Sequence, residues 1–465
     1  MLKRNIISTF LGNGYVVILQ FALVPLLLKY LGAEAYGLVG IYLTLLAAFN
    51  MLDMGLSPAL SRELARLSAM PNSANLMRNT VTTLECVYFV IALLIVSIFY
   101  VSAPWVAEHW LNNNNLPTDT ISTCLRLMGV QCALQFLTNY YTNGLNGLQR
   151  MVRANGVLAL NHTLRAIAGL FVLIAMSASV QIYFFSQALL TFVGLLITAI
   201  ALYNALPVSA KSDDLTLNLV QKIKLRFNLE RFNACKRFAA GMAITSVLTF
   251  FILQTDKIIL SKLVTLEQFG YYTVAVNISM MVGGGAALIS RSVLPRMTQL
   301  VAINDTDALK NLYLKSSALV AWVVLPIAGL LIAFNHQFLT LYLGNADRVM
   351  YVAPIFILLM AGYAVHSLMY VPYALSLAYG WTRYGINVSI VALIVMTPIT
   401  AIATLKYGVM GAASAWLILC IGYFSFSMFY LHMRCLPKIL TRWYVAVISP
   451  IIISTLIIIV GFTFN

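Results

Sequence analysis

Apolar runs of about twenty residues, separated by short polar stretches, recur along the whole chain. A helix rises about 1.5 Å per residue and needs roughly 20 apolar residues to cross the hydrocarbon core of a bilayer. The pattern therefore predicts spans at residues 6–29, 36–60, 79–103, 120–146, 154–178, 181–206, 238–261, 268–295, 315–334, 350–378, 384–405, 409–431 and 443–463. The expected fold class is all-α, a polytopic membrane protein. Lys3-Arg4 before an apolar run has the outline of a signal peptide, but Asn5, Asn13 and Gln20 interrupt the run and no small-residue cleavage site follows. The segment is expected to stay as the first span.

Composition agrees. The chain is 61% hydrophobic and 9% charged, against roughly a quarter charged residues in soluble domains, which excludes a soluble enzyme, a disordered tail or a secreted disulfide scaffold. Cys86, Cys124, Cys132, Cys235, Cys420 and Cys435 have neither zinc-site spacing nor two members on one loop, and read as small apolar filler. The net charge of +15 is explained by its distribution. With the N-terminus cytoplasmic, 22 of the 29 Lys and Arg fall on the inner side and four on the outer. That is a positive-inside bias, so nucleic acid is not an expected partner. The longest inner connection, Lys211 to Arg237, repeats Leu215, Leu219, Ile223 and Phe227 between basic positions. It predicts an amphipathic helix on the membrane surface, serving either as a linker or as a contact for anionic lipid headgroups.

The chain also resembles itself at an offset of 233 residues. Lys29-Tyr-Leu-Gly-Ala-Glu34-Ala-Tyr36-Gly37 matches Lys262-Leu-Val-Thr-Leu-Glu267-Gln-Phe269-Gly270 in base, acid, aromatic and glycine, each time at an outer junction between consecutive spans. Six spans separate the two segments, which implies two six-helix lobes of the same orientation, related by a pseudo-two-fold axis along the membrane normal. The expected organisation is an N-terminal lobe over 1–206, a cytoplasmic linker over 207–237, a C-terminal lobe over 238–432 and an additional helix over 433–465. A cleft between such lobes is where transporters hold substrate. Gly283-Gly284-Gly285, midway along the eighth span, reads either as a gate that bends the helix or as a close-packing surface.

Asn5, the run Pro25-Leu-Leu-Leu-Lys-Tyr-Leu-Gly32-Ala-Glu-Ala-Tyr-Gly37 and Leu52-Asp53-Met-Gly55-Leu56 resemble the opening of bacterial Wzx-type polysaccharide or O-antigen repeat-unit flippases, which belong to the multidrug/oligosaccharidyl-lipid/polysaccharide exporter superfamily. Asp256-Lys-Ile-Ile-Leu with Glu267-Gln-Phe-Gly270-Tyr-Tyr, and Lys406-Tyr-Gly408-Val-Met-Gly411-Ala-Ala, resemble its later junctions. The resemblance implies a MATE-like fold in the bacterial inner membrane and transfer of undecaprenyl-diphosphate-linked oligosaccharide to the outer leaflet, without bond chemistry. Thirteen spans depart from the usual twelve or fourteen. A multidrug or organic-cation antiporter of the same superfamily is the alternative, and its cavity should hold more acid than base.

Ionisable groups inside spans are costly and therefore functional candidates. Arg165, one turn beyond Asn161 and His162, is the first candidate for a diphosphate, the alternative being a hydrogen-bond bridge within one lobe. Arg126 reads as a base near the outer end that snorkels to the headgroups. Its helix carries a polar stripe of Gln131, Gln135, Thr138 and Thr142 with Asn139, Asn143 and Asn146 adjacent, facing water or sugar or packing between helices. Lys257 is expected to line the outer end of the cavity, since the resemblance places spans 1, 2, 7 and 8 around it, with Asn13 and Gln20 sharing the lining. Asp53, Glu85 and Asp256 are candidates for coupling to H⁺ or Na⁺. Against this, Asp53 reads as helix-end geometry and Glu85 as a partner of Arg78 or another base. His366 reads as structural. With no phosphate loop, metal cluster or nucleophile triad, the chain is expected to need no cofactor and to draw on an ion gradient or the membrane potential. Polysaccharide polymerase and assembly proteins are expected partners alongside membrane lipids.

Overall fold

The computed structural model describes residues 2–53, 56–68, 70, 73–113, 115–176, 179–207, 247, 250–437 and 439–464, with the backbone alone at residues 2–10, at Asn13 and at several later positions. Apart from Pro207, the expected linker lies outside the described residues, as do Cys235 and nearly half of the expected 238–261 span.

The described elements are helices. They run α1 (Leu2–Asp53), α2 (Leu56–Ser68), α3 (Ala74–His109), α4 (Thr118–Gly147), α5 (Met151–Phe171, continued by a π turn Val172–Met176) and α6 (Val180–Ala205). After α7 (residues 250–263) come α8 (Leu266–Ala302), α9 (Thr306–Ala333), α10 (Asn335–Leu343), α11 (Ala346–Ser367), α12 (Tyr370–Ala378), α13 (Thr382–Gly422), α14 (Met428–Cys435) and α15 (Leu440–Phe464). Among the described residues, eight helical segments are long and apolar enough to cross a bilayer, so the protein is multi-pass. Two of them, Gly14–Met51 and Arg383–Cys435, hold two expected spans each. Each is kinked into two helices, at Gly32 (φ 82°, ψ 170°) and Gly408 (φ 58°, ψ −137°), backbone angles that a Cβ would strain.

Two expected spans are shorter than the apolar pattern predicts. The 36–60 span stops at Asp53, and α2 is a separate amphipathic helix that buries Ala59, Leu60, Leu64 and Leu67 and exposes Arg62 and Arg66. The 350–378 span breaks after Ser367 into α11 and α12. In both cases a proline, Pro58 or Pro372, occupies the first turn of the new helix, where its missing N–H leaves no intrahelical bond unmade.

The chain divides into two compact units, Met1–Phe250 and Phe251–Asn465. In the first, α4 packs on α3 and α6 while α1 packs on α5. Glycines set the close approaches along α4: Gly129 faces Phe99, Gly144 faces Leu202, and a Cβ on Gly147 would lie 2.6 Å from the Ser61 carbonyl oxygen. Between them Tyr88, Phe136, Tyr140 and Tyr141 form a buried aromatic stack with centroids 4.5–5.1 Å apart. The Glu34 carboxylate accepts from the backbone N–H groups of Asn115 and Leu116 at 3.0 and 3.3 Å and so ties down the loop before α4.

In the second unit α8, α9 and α11 pack together, and α15 lies along α9. Trp443 and Val447 of α15 are fully buried, with the Trp443 ring against His432 and Phe424. The thirteenth helix is therefore built into this unit. Tyr36 and Phe269, the matched aromatics of the internal repeat, are each buried to 1% exposure.

Candidate functional site

Helix α4 is long enough to span but is absent from the apolar segments, because its second half is polar on one side. Gln131, Gln135, Asn139 and Asn143 recur every fourth residue and form one ridge. From Gln135 to Asn146 the half-buried positions are Gln135, Thr138, Asn139, Thr142, Asn143 and Asn146. The Thr138 and Thr142 hydroxyls donate to the carbonyls one turn back, at 2.8 Å each, which satisfies them within the helix. The carboxamides reach further. Gln135 Nε2 donates to Asn139 Oδ1 at 3.1 Å, and Asn139 Nδ2 donates to Asn50 Oδ1 on α1 at 2.7 Å. Gln131, at 1% exposure, has no partner at either end of its carboxamide among the described residues. Polar side chains half-exposed at membrane depth face water or a ligand in preference to hydrocarbon.

Arg165 and Asn161 of α5 both turn toward α6. Arg165 Nε donates to Gln187 Oε1 at 2.9 Å, and Gln187 Nε2 donates back to the Arg165 carbonyl at 3.0 Å. Asn161 Nδ2 donates to the Leu190 carbonyl at 3.0 Å, across Gly194, where a Cβ would overlap the Asn161 carboxamide. The bridge within one unit is thus present. It engages one edge of the guanidinium, and no carboxylate lies within ion-pair distance of Arg165 among the described residues. His162 is half-buried beside them. Among the described residues Arg126 is likewise without an acid: it stacks over the Tyr100 ring with its guanidinium carbon 4.8 Å from the centroid, and its buried Nε has no acceptor there.

The acids are held differently. Asp53 accepts from Ser57 Oγ at 2.5 Å and from the Tyr88 hydroxyl. Glu85 accepts from Tyr141 at one oxygen, 2.5 Å, and from Tyr203 at the other. This corrects the expected Glu85–Arg78 pair, since Arg78 Nε donates to the Pro207 carbonyl at 3.0 Å. Asp256 accepts from Tyr272 at 2.5 Å and forms an ion pair with Lys257 at 3.2 Å. Neighbouring Cβ atoms on a helix diverge by about 100°. The long lysine stem nevertheless folds back, so that Nζ also donates to the Leu253 carbonyl at 2.8 Å. Asp256 also borders a small cavity of about 20 Å³ with Thr255, Thr397, Thr400 and Trp416.

The sequence profile of the polysaccharide biosynthesis protein family matches residues 2–301, well over half of the chain. The chain belongs to that family. A curated relative, "Putative O-antigen transporter" of Shigella flexneri, is 19% identical over 418 residues, covering 89% of this chain and 94% of its own. The structure is similar to the lipid II flippase MurJ in an inward closed conformation, with TM-score 0.70, 14% identity, and 99% of this chain and 98% of that one covered. It is also similar to an inward-facing multidrug resistance MATE family transporter of the MOP superfamily, with TM-score 0.71, 13% identity, and coverage of 90% and 95%. At such identities the likeness is one of fold, and the fold is the all-α, MATE-like one that the sequence resemblance implied. The named relatives are transporters or flippases, not enzymes.

In this member of the polysaccharide biosynthesis family, the remaining candidates are scattered. Gly283, Gly284 and Gly285 are helical within α8; Gly283 packs on Ser367, and the other two have open space where a side chain would be. Gln20 is exposed, and the side chain of Asn13 lies outside the described residues. The His366 ring sits between Tyr370 and Trp416. Among the described residues no cluster of His, Cys, Asp or Glu is arranged to hold a metal ion. Sequence reasoning missed Asn50, Gln187 and the tyrosines that hold the acids. Each is an ordinary residue in its own helix and gains its role only from a partner 16 to 118 positions away.

Proposed function

We propose that this protein is a flippase that carries undecaprenyl-diphosphate-linked oligosaccharide repeat units from the inner to the outer leaflet of the bacterial cytoplasmic membrane by alternating access, with its N-terminus cytoplasmic. The observation that carries this reading is the unequal treatment of intramembrane charge. Among the described residues Arg126 and Arg165 have no carboxylate in reach, whereas Asp53 and Glu85 are held by hydroxyls and Asp256 is neutralised by Lys257. An uncompensated guanidinium at membrane depth suits an anionic diphosphate, which it binds through several N–H donors. An organic cation would meet the opposite sign, which counts against the antiporter reading. His162 and Asn161 flank Arg165, and the α4 ridge from Gln131 faces the polar part of the substrate. The pairing of Lys257 with Asp256 removes that lysine from the anion contacts and leaves proton or Na⁺ coupling to Asp53 and Glu85. Gly284 and Gly285 are the points at which α8 is free to bend. Surface polymerase and assembly proteins are the consumers of the translocated unit.

Deleting the gene in a glycan-producing host should make lipid-linked repeat units accumulate on the cytoplasmic leaflet. Normal surface glycan with altered dye resistance would instead identify a drug exporter.

A further inference from the structure

Three carboxamides joined by two hydrogen bonds form a chain with a direction. Asn50 Oδ1 accepts from Asn139, and Asn139 Oδ1 accepts from Gln135. Asn50 Nδ2 and Gln135 Oε1 are left with no partner among the described residues. Reversing all three amides reverses the direction of the chain but still leaves a donor at one end and an acceptor at the other. The three side chains are half-exposed. Gln135 and Asn139 lie 17 and 21 residues along the 30-residue α4, about 26 and 32 Å from its start. They stand at the depth of the hydrocarbon core if the helix is centred in it. The ridge continues at Gln131, whose buried carboxamide has no partner at either end among the described residues, and no charged residue interrupts it from Gln131 to Asn146.

We infer that Asn50, Gln135 and Asn139 form a glycan-recognition subsite, in which Asn50 donates to one sugar hydroxyl and Gln135 accepts from another, with Asn139 holding the two in register. The inference rests on the flippase reading for its substrate class. A hydroxyl both donates and accepts, as does a carboxamide, so the paired free ends match the hydroxyls of a sugar ring. A diphosphate only accepts and selects cations, and an organic cation selects acids or aromatic faces. An isoprenoid chain offers a carboxamide no partner at all.

The test uses the lipid-linked oligosaccharide that accumulates in the deletion strain, together with undecaprenyl diphosphate bearing no sugar. Binding of each to the full-length protein in lipid nanodiscs is compared for wild type, Asn50→Leu and Gln135→Met, which are close in size and lack the amide. The wild type is expected to prefer the glycosylated probe, and each variant to lose about fivefold of that preference, the worth of one hydrogen bond. Binding of the bare diphosphate is expected to stay unchanged, which also shows that the variants are folded. If both variants keep the full preference, the subsite is overturned while the flippase reading stands. If the wild type binds neither probe, the flippase reading fails and takes the subsite with it. Should one variant misfold, the other decides alone.

Discussion

The reciprocal clamp between Arg165 and Gln187 allows a quantitative test of how α5 is held to α6. Gln187 is 6% exposed, and a Cβ on Gly169 would come within 2.9 Å of its Nε2, so the carboxamide has little room to find other partners. Gln187→Met keeps the volume and removes both bonds. Interhelical hydrogen bonds in membranes are worth about 0.6 kcal/mol on average and up to about 1.7, so the substitution should cost about 1–3 kcal/mol. Arg165→Met removes only the bond from Nε, because Gln187 Nε2 donates to a backbone carbonyl that the variant keeps. The double variant therefore isolates a single bond, and the coupling energy of the cycle should be about 0.6–1.7 kcal/mol. Reversible unfolding of the four proteins in mixed SDS micelles measures it. A coupling energy indistinguishable from zero would refute the clamp and return the whole guanidinium to substrate binding. Export assayed in parallel should fall about tenfold or more for Arg165→Met at equal protein level, and less for Gln187→Met, because only the former removes the charge that the diphosphate meets.

Four further outcomes follow from packing and geometry. Gly147→Val should destabilise the protein by about 1–3 kcal/mol or more, since the added carbons meet the Ser61 backbone, which cannot step aside; thermal unfolding followed by intrinsic fluorescence reads it. Gly408→Ala should cost about 1–3 kcal/mol at the φ 58° turn, whereas Gly422→Ala, at an ordinary helical position with open space, should be close to neutral. Trp443→Ala should cost about 3–5 kcal/mol, because the ring is fully buried between α15 and its neighbours; a loss under about 1 kcal/mol would show that the last helix is only appended. Glu85→Gln should abolish the dependence of transport on an imposed ion gradient while Tyr203→Phe only weakens it, measured as export with and without a collapsed gradient; an unchanged dependence in Glu85→Gln would remove that acid from coupling.

Most of the spans could be read directly from the chain, because the bilayer imposes a length and an apolar composition that an apolar segment satisfies on its own. The same local rule put glycine at Gly32 and Gly408, where backbone angles exclude other residues. It also marked the α4 ridge as unusual, since a run of carboxamides is anomalous in any transmembrane segment. Local pattern failed where a hydrophobic run continued through a break: the proline-started helices α2 and α12 both lie inside runs that read as single spans.

What only the tertiary structure decided is which polar groups find partners. Arg165 had two open readings until Gln187 appeared across the α5–α6 interface, and Lys257 counted as a free base until its stem folded back onto Asp256. Asn50 drew no notice until Asn139 reached it from α4. Hydropathy belongs to a single helix and survives in the one-dimensional string. A hydrogen bond or ion pair belongs to two side chains whose separation is set by helix packing, and at membrane depth that pairing determines whether a polar residue supports the fold or is left to meet a ligand.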